Sequence, residues 1–523
     1  MGKELSLIAR GAGFYFAGFA ISKVLAYIYR VLVARTLGPA DFGIFSLGVA
    51  VLGIVLVFAA LGLYQGILHF VAVYDSTGEP AKVRGTILFG LKLQLVSSII
   101  FALAMFLSAD FVAVYFFHEP SAALVIKILS VALPFYVLTS NLMILAQAFK
   151  KIEYKILLRN VIENIIKIAI TAALIFFGFG LFGITAGLAL SITATFFISL
   201  YLVHKKVFPL FKRGEKPVYS ARQIFSYSWP LLAVGFFSLL LSSTDTIMLG
   251  NLSEAYDVGI YNVAQPTANL LLIASFAFGS LFLPVITGLW AQKKVAEFAT
   301  TFKVVTRWTV ATAFPCLLFT LLFASEILGV MFGNVYAEGA GALMILSLGV
   351  FSMSLGGSTS SILESIRKTK LVFLNSVFCG LLNVALNAWL IPVFQPSGDA
   401  IIGAAIGTAI SYSLWNLLAL AEVYALIKIH PYNRAYISPI VASFISIAVF
   451  FALKAAIPPI QSFSFPINFV ALSAFGCFFL ALYGLLFVVL RGIQAEDLAV
   501  LKSLENKTGF RVKFARDFVK RFS

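Results

Sequence analysis

Apolar residues in this 523-residue chain gather into long uninterrupted runs, at about 11–34, 43–70, 86–108, 123–146, 160–178, 183–203, 225–249, 259–288, 306–326, 340–362, 372–392, 402–426, 436–456 and 467–490. Each is about 20 residues long, the length of one helix across a hydrocarbon core. The runs are continuously apolar rather than alternating, and they are too long for the strands of a membrane barrel. The pattern predicts an all-α polytopic membrane protein with about fourteen transmembrane helices. Composition agrees: 61% of residues are hydrophobic and 11% charged, and the mean hydropathy is +1.00. Such a chain cannot keep its apolar surface out of water as a soluble globule.

Charge sets the orientation. With both termini in the cytoplasm, 31 of the 38 Lys and Arg residues fall in cytoplasmic segments and only Arg35 in an outer loop, as the positive-inside rule requires. The outer loops instead carry Asp41, Asp110, Glu119, Glu254, Asp257, Glu338 and Asp399. The expectation is a multi-pass protein of the cell (plasma) membrane. The net charge of +16 then reports topology and contact with anionic membrane lipids, and no nucleic-acid reading module is present. The N-terminal run contains Lys23 and lacks a small-residue cleavage site, so it reads as a retained first helix. Cys316, Cys379 and Cys477 lie in apolar spans with no histidine at ligand spacing, which points to packing rather than a disulfide or metal site.

The chain repeats itself. Asp41-x-Gly43-Ile44-Phe45 returns as Asp257-x-Gly259-Ile260-Tyr261, Gln147-Ala-Phe-Lys-Lys151 as Glu364-Ser-Ile-Arg-Lys368, Asn160 as Asn375, and Gly183-x-x-x-Gly187 as Gly403-x-x-x-Gly407. Two copies of six helices enter the membrane in the same direction, so they are parallel repeats related by an axis along the membrane normal. The expected organisation is an N-lobe over 1–203, a cytoplasmic linker over 204–224, a C-lobe over 225–427, two extra C-terminal helices over 428–490 and a basic tail over 491–523. In the tail, Phe510, Phe514, Phe518 and Phe522 recur every fourth residue among cations, the pattern of an amphipathic helix on the inner leaflet.

Charges inside apolar spans are costly, about 2.5–3.5 kcal/mol each on insertion scales, and each needs water, a partner or a ligand. Lys127 and Lys454 sit near span ends, where they can snorkel. Lys23, Tyr27 and Arg30 share one stripe of helix 1, Lys92 lies beside Gln94 on helix 3, and Lys167 follows Glu163 by one turn on helix 5. These cations in the first lobe are candidate ligands for an anionic headgroup; for Lys167 an ion pair with Glu163 is the alternative. In the second lobe Asp245 stands where the repeat assigns Arg30, with Asn383, Asn387 and Thr408 as candidate companions. That set suits a coupling sodium ion or proton, and an Asp245–Arg30 ion pair explains the acid equally well. Asn262, Gln265 and Asn269 form a polar stripe on helix 8 that lines a wet cavity or joins helices.

With ARTLGPADFGIFSLG at 34–48, DTIMLGNLSEAYDVGIYNVA at 245–264 and the Gly183 and Gly403 motifs, the sequence resembles the multidrug/oligosaccharidyl-lipid/polysaccharide (MOP) exporter superfamily. Within it, the similarity is to the polysaccharide transporter or O-antigen flippase (Wzx-like) family. The resemblance implies a V-shaped two-lobe transporter, not an enzyme. Such a transporter moves a polyprenyl-diphosphate-linked oligosaccharide from the cytoplasmic to the outer leaflet for cell-surface polysaccharide assembly. It needs no cofactor, and the glycosyltransferases or polymerase of the same pathway are its partners. Asp245 with Asn383 and Asn387 is similar to the sodium site of related peptidoglycan-precursor flippases, with Asn387 at what would be an acidic position. A MATE-like multidrug antiporter coupled to a cation is the alternative transporter, and a membrane glycan polymerase or ligase the alternative enzyme. The cationic first lobe argues against a pump of cationic drugs, and the short acidic outer loops argue against the polymerase.

Overall fold

The computed structural model describes residues 2–210, 216–356, 359–454, 465–494 and 497, and among these there is helix and connecting turn but no strand. Helix α1, Gly2–Ala60, is broken at Gly38, and is followed by α2 (Leu63–Ser76), α3 (Pro80–Phe111), α4 (Ala122–Ala148), α5 (Ile152–Ile156), α6 (Glu163–Phe176), α7 (Gly180–Leu202) and α8 (Ala221–Leu252). Then come α9 (Ala255–Ala268), α10 (Leu272–Ala291), α11 (Val295–Leu322), α12 (Ala324–Phe332), α13 (Ala340–Leu355) and α14 (Thr359–Ser365). The last four are α15 (Thr369–Phe394), α16 (Ala400–Ile427), α17 (Ile437–Lys454) and α18 (Phe465–Val489). As far as they are described, the apolar runs fall on helix, as they must where no water can satisfy the backbone. Ten of the described helical segments are long and apolar enough to cross a membrane. The expected amphipathic helix of the tail lies outside the described residues.

The chain divides into two compact units, Gly13–Gly259 and Met1–Ala12 with Ile260–Ser523. The sequence suggested a division at 204–224, and α8 explains why the compact division falls later. Gly62 and Gly66 of the α2 region lie against the Ser228 carbonyl and hydroxyl, and the His69 ring stacks on Tyr227 at 4.9 Å. The Tyr74 hydroxyl donates to Gln223 Oε1 at 3.2 Å, and the Val218 amide to the Ala81 carbonyl at 3.0 Å. Helix α8 and the end of the linker are thereby packed onto α2 and α3. The first unit is filled by Ile44, Leu52, Met105, Val125, Leu129 and Leu133, with a second cluster of Leu63, Ile67, Val83, Leu142 and Leu145. In the second unit Phe282, Phe298, Phe302, Ile362 and Val423 form one core, and Phe323, Phe450 and Phe479 form a separate cluster that joins α17 and α18 to the junction of α11 and α12.

The repeated motifs have matching structural roles. Lys150 and Arg367 both take the left-handed conformation, with φ of 58° and 61°. The next amide in each case reaches back five residues, Lys151 to the Ala146 carbonyl at 2.9 Å and Lys368 to Leu363 at 2.7 Å, the hydrogen bond of a Schellman cap. Cations tolerate this position because they face the negative end of the helix. Gly187 presses on Thr171 of α6 as Gly407 presses on Asn387 of α15, so the paired glycines let α7 and α16 pack closely on the helix before each. Gly43 has no room for a Cβ against the Ala255 carbonyl, and Gly259 none against the Pro39 carbonyl. Each glycine meets the residue four positions ahead of its counterpart, so the two copies touch reciprocally where their second helices begin.

Candidate functional site

The first unit gathers cations and tyrosines around α4 to α6. Helix is continuous from Ile152, because α5 runs through a wider π-type turn at Leu157–Ile162 into α6. Such a turn adds a residue to the helix and is frequent at functional sites. Lys155 and Arg159, which the sequence places among the loop cations, therefore stand on the same helix as Glu163 and Lys167. Charged residues beyond an apolar run do not break a helix, and the hydropathy boundary at 160 concealed this.

Arg159 is held on two sides. Its Nη1 lies 3.1 Å from Glu163 Oε2, its Nη2 donates to the Tyr136 hydroxyl at 2.5 Å, and the guanidinium lies 5.0 Å from the centre of the Tyr136 ring. Lys155 Nζ donates to Gln147 Oε1 at 2.6 Å. Lys167 does not close the expected ion pair with Glu163, whose carboxylate turns back to Arg159. Its Nζ instead sits 4.6 Å from the centre of the Tyr29 ring on α1, within electrostatic reach of Glu163, Arg159 and Arg30. Arg30 is itself close to Tyr27 and Tyr29. Asn164 Nδ2 meets Ser22 Oγ at 3.3 Å and joins α6 to the start of this face. Arg30, Arg159 and Lys167 are half-buried.

The other predicted residues fall as follows. Lys23 is exposed on α1 and Tyr27 half-buried. Lys92 is exposed on the stripe of α3 that carries Leu95, Val96 and Ile99, apart from the cluster's contacts. Its neighbour Gln94 is fully buried: Nε2 donates to the Ala60 carbonyl at 3.2 Å, and Oε1 accepts from Asn141 Nδ2 at 2.5 Å. Ser97 caps the Ala59 carbonyl at 2.6 Å. These side chains satisfy the carbonyls released where α1 ends and the chain turns at Leu61 and Gly62 (φ 53° and 66°) before α2.

Asp245 is buried in the first unit. In the second unit Asn383 Nδ2 donates to Thr408 Oγ1 at 3.0 Å and Asn387 Nδ2 to Asn383 Oδ1 at 3.4 Å, all three side chains being buried. On α9 Gln265 is buried and Asn262 half-buried, and Asn269 begins a short 3-10 turn.

Sequence reasoning missed Arg159, Tyr136 and Tyr29, and also Arg307. The last was counted as a cytoplasmic-loop cation but stands twelve residues into α11, fully buried and paired with Asp497. Trp308 Nε1 also donates to Asp497, at 3.1 Å. The spacing 155, 159, 163, 167 was the available signal for the first site.

A polytopic helical body with an internally repeated sequence and cations within its apolar helices agrees with a membrane transporter of the MOP exporter superfamily, and the matches to known proteins show it. The family model for polysaccharide biosynthesis protein matches residues 8–290, and a MatE model matches 230–389. The chain belongs to the polysaccharide biosynthesis protein family. It is 25% identical over 500 residues to the uncharacterized membrane protein MJ1068 of Methanocaldococcus jannaschii, covering 91% of this chain and 95% of that one. It is 22% identical over 415 residues to a Shigella flexneri protein provisionally named an O-antigen transporter, covering 77% and 94%. The fold matches that of the lipid II flippase MurJ in an inward closed conformation with a TM-score of 0.67 and 16% identity, covering 93% of this chain and 99% of that one.

Proposed function

We propose that this transporter is a flippase for a polyprenyl-diphosphate-linked oligosaccharide, carrying the headgroup from the cytoplasmic to the outer leaflet by alternating access. The carrying observation is the cluster of Lys167, Arg30 and Arg159, set among Tyr29 and Tyr136. Phosphates and sugars cannot enter hydrocarbon without compensation, whereas the polyprenyl tail is at home there, so such a carrier has to shield only the head. Fixed cations replace water around the phosphates. With the cell interior negative, each anionic charge moved outward gains about 2.3 kcal/mol per 100 mV, so the membrane potential can drive export without a coupled ion.

The test is reconstitution into proteoliposomes with a fluorescent polyprenyl-diphosphate glycan. Arg30→Ala and Lys23→Ala should insert normally and lose flipping. Unimpaired transport by both would remove them from the site. The MatE match over 230–389 favours drug export as the second reading; resistance to a cationic drug that depends on Asp245 and not on Arg30 would select it.

A further inference from the structure

The stripe 155, 159, 163, 167 has one residue per turn, so its four charged side chains lie along one face of the α5–α6 rod over about 18 Å of helix axis. Three are cations and one, Glu163, is an acid. The acid spends its carboxylate on Arg159, the cation best fitted to grip a phosphate with two parallel donors. Arg159 is nevertheless more accessible than its partner, with 38% of its side chain exposed against 17% for Glu163. Tyr136 fixes the guanidinium from the other side. Its orientation therefore does not depend on the acid alone.

We propose that Lys155, Arg159 and Lys167 are successive stations for the diphosphate of the substrate, and that Glu163 is an internal stand-in for it. The arriving phosphate displaces the Glu163 carboxylate from Arg159, and the returning carboxylate helps expel it. An empty site keeps its cation neutralised and so avoids the cost of a bare charge within the membrane. A loaded site exchanges one anion for another, which keeps binding weak enough for release. Glu163 is thus a positioning and release residue, and the phosphate contacts belong to the three cations. The proposal rests on the flippase reading for its ligand, a diphosphate esterified at both ends, and on the helix-5 geometry for its residues.

The experiment is binding of inorganic pyrophosphate to the purified full chain in nanodiscs, with thermal melting and glycan flipping measured on the same preparations. Removing the competing carboxylate by Glu163→Gln should tighten pyrophosphate binding about tenfold while slowing glycan turnover, and Arg159→Ala or Lys155→Ala should weaken binding about tenfold. Glu163→Asp, which keeps the charge but withdraws it from Arg159, should tighten binding as well. A purely structural ion pair would instead lower the melting temperature of Glu163→Gln and leave or reduce its affinity, and that result overturns the proposal. So does unchanged binding in Arg159→Ala and Lys155→Ala. Retained flipping in Arg159→Ala would sink the stations while sparing the flippase reading. The predicted binding pattern with no glycan flipped by any preparation would sink the flippase reading while sparing the stations.

Discussion

Lys167 Nζ lies 4.6 Å from the centre of the Tyr29 ring, so a cation of the fifth apolar run rests on an aromatic face of the first. The ring offers partial compensation without neutralising the charge, worth about 0.5–2 kcal/mol according to how dry the site is. That leaves the ammonium available to an anion, which a full ion pair with Glu163 would not.

Replacing the face should therefore matter more than removing its hydroxyl. Tyr29→Leu is expected to reduce flipping of a fluorescent polyprenyl-diphosphate glycan severalfold, whereas Tyr29→Phe should keep most of it. Equal rates in the two variants would show that the ring does not hold Lys167 for transport.

Arg307 and Asp497 are both buried, 2% and 1% exposed. Removing one partner of such a pair leaves an uncompensated charge and costs about 3–5 kcal/mol, whereas replacing both by apolar groups is often neutral. Asp497→Ala should lower the melting temperature in detergent by several degrees, and the double substitution Arg307→Met with Asp497→Leu should recover part of it, because the Trp308 indole and the Gln494 amide still lose their acceptor. A single variant that melts like the parent would show that the pair contributes nothing.

Gln94→Leu removes the donor to the Ala60 carbonyl and the acceptor for Asn141. Each buried polar group left without a partner costs about 1–3 kcal/mol, so a marked loss of thermal stability is expected, measurable by tryptophan fluorescence or differential scanning. Gln94→Glu, held protonated in this dry site, keeps an acceptor for Asn141 and an O–H donor, and should retain more stability than Gln94→Leu.

Gly43→Val and Gly259→Val each drive a branched side chain into a backbone carbonyl of the other copy. Overpacking of this kind costs about 1–3 kcal/mol or more. Because both strike the same crossing, the double variant should cost less than the two singles added together. Gly484, which has open space around its Cβ position, provides the control: Gly484→Val should be nearly silent. Strict additivity of the first two would mean that they act on separate contacts.

Much of this architecture was legible from the chain. The apolar runs located the helices because hydrocarbon leaves the backbone no other hydrogen-bonded state. The repeated Gln147–Lys151 and Glu364–Lys368 segments were visible as a motif, though only the structure shows that they are helix caps. The cluster was half legible. Arg30 and Lys167 stood out as charges within apolar runs, but Lys155 and Arg159 were hidden because hydropathy ends a helix at its last apolar residue, whereas α5 starts at Ile152. Arg307 lies at the edge of the 306–326 run, and its burial depends on Asp497, a partner 190 residues further along the chain. Partners far apart in sequence, such as Tyr29 with Lys167 or Gln94 with Asn141, left no signal, since a single sequence carries no record of which helices become neighbours.

The reciprocity of the Gly43 and Gly259 contact has the form found in a two-fold homodimer, where each partner offers the other the same patch. In one polypeptide no symmetry operator enforces it, so each half is free to drift wherever the two do not meet. Arg30 and Asp245, opposite in sign at equivalent positions, have drifted; the glycines have not. The fused molecule can specialise one half chemically while keeping, at the crossing, a glycine from each half against the backbone of the other.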